Sequence, residues 1–213
     1  MIKGIITGDL VNSSNIATEY RQMVIDSLNA VTIDFSPMTS VRIEIFRGDS
    51  FQVVVDAAQQ APAVAVALRA KLKASTPDKQ DAWDARVSVG IGEVSYESDT
   101  IVTSDGEAFR LSGRAFDVLG KKRLAIASPS EELNESVDLN TRFADDIITA
   151  LTVKQARVVY HSLLFPGKTQ KDMAEDLGMS RQNFNYIWLS AKGQLILDYT
   201  EHVKSQILKY IAQ

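Results

Sequence analysis

Three sets of residues in this chain have the types and spacing to do chemistry. The first is a pair of Gly-Asp steps, Gly8-Asp9 in ITGDLVNSS and Gly48-Asp49 in FRGDSFQ. Each follows an apolar run, so each carboxylate sits where a strand turns into a polar loop. Two carboxylates with no basic neighbour repel one another. A Mg²⁺ ion, shared with the phosphate oxygens of a ligand, would relieve that repulsion. Taken singly, each step also reads as an ordinary turn. The second set is Arg110 and Arg114, four residues apart and therefore on one helix face. Such a pair suits phosphate or another anion. The other reading has both arginines solvated, or paired with Glu107 and Asp117. The third set is Arg181, Gln182, Asn183, Asn185 and Tyr186. Arg suits guanine, Gln and Asn suit adenine, and the remaining groups suit phosphates.

The elements around the third set predict how it is presented. Thr169 can cap a short helix whose positive end Asp172 favours. Met173, Ala174 and Leu177 form its buried stripe, and Gly178 supplies the positive φ of a turn. Ser180 caps a second helix with an apolar face of Phe184, Ile187 and Trp188. The pattern over 169–193 reads as a helix-turn-helix, whose second helix lies in a DNA major groove. The alternatives are an αα-hairpin packed into a larger fold, or a helix-turn-helix reused for protein contacts.

Before residue 128, strands and helices alternate. Strands are expected at 2–7, 41–46, 51–55, 86–94 and 123–127, with a turn at Arg47-Gly48-Asp49-Ser50 inside the central hairpin. Helices are expected at 16–31, with Met23, Ile25, Leu28 and Val31 inward, and at 61–73 and 108–119. The order is βαββαβ with an added αβ unit, which predicts an α+β, ferredoxin-like domain. In that arrangement the first and second strands are expected side by side at the sheet centre, so that Asp9 and Asp49 face each other. Residues 129–141 are polar and acidic. The chain therefore divides into a ferredoxin-like domain over 1–128, a linker and connecting helix over 129–148, and a small all-α helix-turn-helix domain over 149–213.

Composition narrows the function classes. The chain has 213 residues, 45% hydrophobic and 23% charged, as a globular protein does. It has no cysteine, which excludes disulfides, thiol catalysis and thiolate zinc sites and agrees with a cytoplasmic protein. Its two histidines are far apart in sequence. No apolar run is long enough for a membrane span, and the first residues lack a signal-peptide pattern. The net charge of −4 divides unevenly. From Thr149 onward eight basic residues face five acidic ones, a balance of +3 that leaves −7 for the rest. That excess is small for a DNA-binding monomer, so a homodimer is expected.

Four motifs carry a resemblance. Gly8-Asp9-Leu10-Val11-Asn12-Ser13, Gly48-Asp49-Ser50-Phe51-Gln52, the strand Arg86 to Glu93, and Asp105-Gly106-Glu107-Ala108-Phe109 occur in the order found in the SatD family. They span nearly all of residues 1–128. A helix-turn-helix tail is common in that family. The stretch from Leu151 to Ile187 is similar to the helix-turn-helix of sigma-factor region 4 and response regulators. More distantly, the first part resembles class III nucleotide cyclases and the palm domains of diguanylate cyclases. That resemblance implies a palm fold in which Asp9 and Asp49 hold metal and Arg114 steadies phosphates. Arg110 stands where those proteins carry asparagine, and Ile45 and Thr103 stand where they read the base. The metal and phosphate parts are thus retained and the base-reading part is not.

Three functions are compatible with these residues. One is a DNA-binding transcriptional regulator whose first domain binds a nucleotide-like ligand with Mg²⁺. Another is a metal-dependent nucleotidyl- or phosphoryl-transfer enzyme with the tail as an interaction module. The last is a scaffold whose site has decayed. The tail carries the more specific signal, which favours the regulator.

Overall fold

The computed structural model describes residues 1–46 and 48–213. The expected turn at 47–50 therefore has its first residue, Arg47, outside the described residues. β1 spans Ile2–Leu10 and is the inner strand of a mixed sheet. It pairs antiparallel with β3 (Ser50–Val55) on one side and β4 (Ala85–Tyr96) on the other. Among the described residues, β2 (Val41–Phe46) pairs only with β3 and forms an edge. The expectation that the second strand lies beside the first is thus corrected: the third strand takes that place. The cause is patterning. β3 buries Phe51, Val53, Val54 and Val55, a run that suits a strand covered on both faces. β2 alternates Val41, Ile43 and Ile45 with Arg42 and Glu44, and it is half exposed throughout, as an edge tolerates. Two short strands, β5 (Asp105–Gly106) and β6 (Leu124–Ala127), also pair with β4, β6 in parallel.

Helices cover both faces. α1 (Arg21–Asp34) begins five residues later than expected, because Ser13–Asn15 and Thr18–Tyr20 form two 3₁₀ turns first. Its buried face is Val24, Ser27, Leu28 and Val31, while Met23 is 41% exposed. Of the expected apolar set, Leu28 and Val31 are buried and Ile25 is half-buried, and Met23 alone turns largely outward. α2 (Ala61–Ala74) is buried nearly all round, and its many alanines allow neighbouring elements to approach. α3 (Glu107–Asp117) packs on the opposite face of the sheet from α1 and α2, beside β4 and β1. It comes so close to Gly90 that a Cβ there would collide with the Ala108 carbonyl and lie 2.6 Å from Ser112 N. Only glycine permits that approach.

The segment 129–148, expected as linker and connecting helix, belongs to one continuous helix, α4 (Glu131–Ala150), capped by Ser130. Leu133, Val137, Thr141, Ala144 and Ile148 form its buried stripe, at spacings of three and four. Thr141 and the buried Asp145 dilute that stripe, so composition alone suggests a linker. Four helices follow: α5 (Val153–Leu164), α6 (Gln170–Asp176), α7 (Arg181–Ser190) and α8 (Gly193–Ile211). α4 lies against α8 and β6, and α5 against α2. The main core runs without a break from Ile6 and Val53 through Leu68 and Ile148 to Val203 and Ile207. It therefore crosses the expected domain boundary.

A buried charged cluster reinforces that junction. Arg69 of α2 is fully buried and donates from Nε and Nη2 to Asp84, each at 2.9 Å, and from Nη1 to Asp145 at 2.7 Å. Lys73 and Arg123 also reach Asp84, at 3.2 and 2.8 Å. The Arg123 backbone N–H donates to Asp145 at 2.8 Å. Burial alone would raise the Asp84 carboxyl, but Arg69 first, then Lys73 and Arg123, hold it down at about 2. Burial pushes the Lys73 ammonium below its ordinary range.

Candidate functional site

The sequence-predicted residues fall at three places. The first is the surface of α7. Thr169 accepts from the Asp172 backbone N–H, and the Asp172 carboxylate returns to the Thr169 N–H, forming a reciprocal capping box at the start of α6. Gly178 has φ +66°, which turns the chain after Leu177. Ser180 accepts from the Asn183 N–H at 3.2 Å and starts α7. Phe184, Ile187 and Trp188 are buried with Met173, Ala174 and Val158 in a separate small core, with the Phe184 and Trp188 rings stacked. These contacts fix the rotation of α7 about its axis. Arg181, Gln182, Asn183, Asn185 and Tyr186 are consequently all exposed. Among the described residues, the side chains of Arg181, Gln182, Asn185 and Tyr186 make no hydrogen bond within the protein. Arg181, Gln182 and Asn185 line a shallow cleft of about 440 Å³ with Gln170 and Ser180. The surface is thus a set of unengaged donors and acceptors on a fixed helix. Nearby, Asp176 accepts from Lys168 at 2.6 Å and lies 2.8 Å from His161. Lys168, then His161, lower its carboxyl.

The second place is the end of the sheet where β1 meets the β2–β3 hairpin. The backbone brings the two Gly-Asp steps together: Asp9 is opposite Ser50, and the Leu10 N–H donates to the Asp49 carbonyl at 3.0 Å. Among the described residues, their side chains share no partner. Asp9 lies directly across from Arg86 on β4 and accepts from its Nε at 3.0 Å and its Nη2 at 2.6 Å. This contact raises the guanidinium's pKa. The Arg86 guanidinium also lies 5.2 Å from the centre of the Phe116 ring on α3. Asp49 instead accepts from the Ser13 hydroxyl at 2.8 Å. The expectation of an acidic pair without basic neighbours is therefore corrected. Arg86 already neutralises Asp9 and occupies both of its oxygens, so these residues as arranged do not fit a shared Mg²⁺. Among the described residues, no three His, Asp or Glu side chains converge as a metal-ligand set.

Asp49 lines a cavity of about 310 Å³ between the hairpin and α1. Leu10, Ile16, Val24, Leu28 and Ile45 form its apolar wall, with Ser13, Ser14 and Arg21 at its polar side. The sequence reading placed Asp49 and Ile45 near a ligand but missed Ser13 and Arg21. Ser13 belongs to the same GDLVNSS motif, which is a usable signal. Arg21 opens α1 and reaches the hairpin only in three dimensions.

The third place is α3. Arg110 and Arg114 are both exposed, as their spacing requires, and neither lines the hairpin cavity. Arg110 pairs with Asp105 at 2.8 Å, a partner not foreseen. The structure therefore does not bring Arg110 and Arg114 to the same cavity as Asp49.

No protein-family model and no curated protein matches this sequence. The SatD resemblance therefore rests on its four motifs. Among solved structures, the chain is similar to two described as bacterial light-regulated adenylyl cyclases. The first has a TM-score of 0.41 at 15% identity, over 60% of this chain and 43% of that one. The second has a TM-score of 0.41 at 12% identity, over 59% of this chain and 74% of that one. This chain thus spans less than half the length of the first.

Proposed function

We propose that this protein is a DNA-binding regulator that reads duplex DNA with α7 and takes a small ligand in the hairpin cavity. One observation carries the DNA reading. A helix locked by Phe184, Ile187 and Trp188 turns Arg181, Gln182, Asn185 and Tyr186 outward, with no competing partner among the described residues. α6, the Gly178 turn and α7 then act as a helix-turn-helix, with Arg181 and the amides on base edges and Tyr186 at the phosphates. The ligand reading draws its support from the cavity between the hairpin and α1. Its apolar wall suits a planar ring such as a base, and Arg21 with Ser13 and Ser14 suits an anionic end. Anion binding is thus assigned to Arg21 rather than to Arg110 and Arg114. The transfer-enzyme reading requires Asp9 to exchange its Arg86 partner for a metal ion.

The test is DNA affinity of the full chain for a fragment selected from random duplex. Changing Arg181 and Asn185 to Ala should cost about 1–3 kcal/mol for each base that α7 no longer reads. Unchanged affinity in the double variant would falsify the assignment of α7. Repeating the titration with nucleoside triphosphates, for wild type and Ile45→Trp, tests the ligand half. The nucleotide should shift the affinity of wild type and leave Ile45→Trp, whose cavity is filled, unmoved.

A further inference from the structure

We infer that the groove between α4 and α8 is the surface on which two copies of this chain pair. Its floor is Ala144, Ile196 and Tyr199, and its volume is about 550 Å³. Large apolar side chains stand exposed on both banks: Phe143 at 63% on α4 and Leu195 at 56% on α8. Leu139, 51% exposed, lies one turn before Phe143 on α4, beyond the groove's lining. Leu139, Phe143 and the half-buried Ile147 recur every four residues, so they form one continuous stripe along α4. Isolated exposed apolar residues are ordinary, but a stripe beside an open groove marks an interaction surface.

The occupant follows from charge and size. Lys192 stands at one end of the groove, and Asp146 and Asp198 line its banks. Among the described residues, neither Lys192 nor Asp146 forms an ion pair. α4 and α8 run antiparallel, with Ser136 near His202 and Thr141 near Tyr199, so Lys192 and Asp146 stand at the same end. A two-fold axis running along the groove sets α8 of one copy over α4 of the other and puts Lys192 of each against Asp146 of its mate. Phe143 of each copy then enters the groove of its mate. Such a patch is complementary to itself, as an isologous contact demands. α4 has 20 residues and α8 has 19. Each is therefore roughly 30 Å long, and the two side by side present about 600 Å² per copy. A pair would bury about 1,200 Å², the lower bound of the range for stable interfaces. The stripe thus has the area, the apolar centre and a charged end of both signs for a second copy of this chain.

The inference extends the DNA-binding reading without depending on it, because pairing is measured without DNA. Sedimentation velocity of the full chain at tens of micromolar should give twice the 23.5 kDa chain mass. Phe143→Glu, at an exposed position, should give the single mass with an unchanged circular dichroism spectrum, and a melting temperature that no longer rises with protein concentration. Lys192→Glu should weaken pairing at least tenfold, and Lys192→Glu with Asp146→Lys should restore it. A single mass for wild type, or a dimer that Phe143→Glu leaves intact, overturns the inference. So does failure of the charge-reversed double variant to recover. None of these results bears on α7, whose DNA-reading side chains are tested separately by the Arg181 and Asn185 variants.

Discussion

Asp84 shows how one buried carboxylate can govern this molecule's response to acid. Its folded pKa of about 2 lies below its unfolded value, so it binds fewer protons when folded. Its contribution is complete above about pH 4 and is lost as pH falls from there toward 2. The magnitude is about 2 kcal/mol for a shift of this size. Asp84→Asn should cost more, about 3–5 kcal/mol at neutral pH, because it leaves the buried Arg69 and Lys73 cations with Asp145 as their remaining buried carboxylate. It should also flatten the acid limb of stability. Urea melts of both proteins from pH 7 down to pH 2.5 check the two expectations. An Asp84→Asn protein as stable as wild type at neutral pH would show that the buried cluster is dispensable.

Among the elements, α3 depends most on a single residue of its neighbour. Its backbone rests on β4 at Gly90, and Thr7 and Ser112 share a hydrogen bond at 3.0 Å beside that contact. Ser88 also donates to the Ser112 carbonyl at 2.7 Å. Gly90→Ala must push α3 away from the sheet, since the atoms it meets are backbone and cannot rotate aside. Overpacking of this kind costs about 1–3 kcal/mol or more. The expected result is a lower melting temperature, with faster hydrogen exchange confined first to residues 107–117. Gly113→Ala is the control, because nothing lies within 4 Å of a Cβ placed there. Helix propensity should make that change neutral or slightly stabilising.

For the whole molecule, the continuity of the core has a measurable consequence. Trp83 is buried beside the sheet, and Trp188 is buried in the small core under α7. They are the two tryptophans of the chain and report on its two expected parts. α5 links the parts directly. Val159 and Leu163 belong to the main core, and Val158 to the small one. The Tyr160 hydroxyl also donates to Asp34 of α1 at 2.5 Å. Burial, then that carboxylate, push the Tyr160 phenol above its ordinary range. Single-tryptophan variants, Trp83→Phe and Trp188→Phe, should therefore melt with coincident midpoints by fluorescence and by circular dichroism. Two separated transitions would show that 1–128 and 149–213 fold as independent units.

What the sequence determined by itself is local. The Thr169 cap, the Gly178 turn, the Ser180 cap and the buried faces of α6 and α7 each depend on residues within one helical turn of one another. Strands β2 and β4 were legible for the same reason, from apolar alternation, and β3 from its apolar run beside a turn. Only the tertiary structure decided what depends on distant partners. Arg86 is 77 residues from Asp9, and its approach turns an expected metal ligand into half of an ion pair. Asp145 reads as one more acid in a polar segment until Arg69, 76 residues away, accounts for its burial. Strand order and the continuity of the core belong to the same class. They are set by which surfaces meet, and a sequence pattern states only which surfaces must be covered.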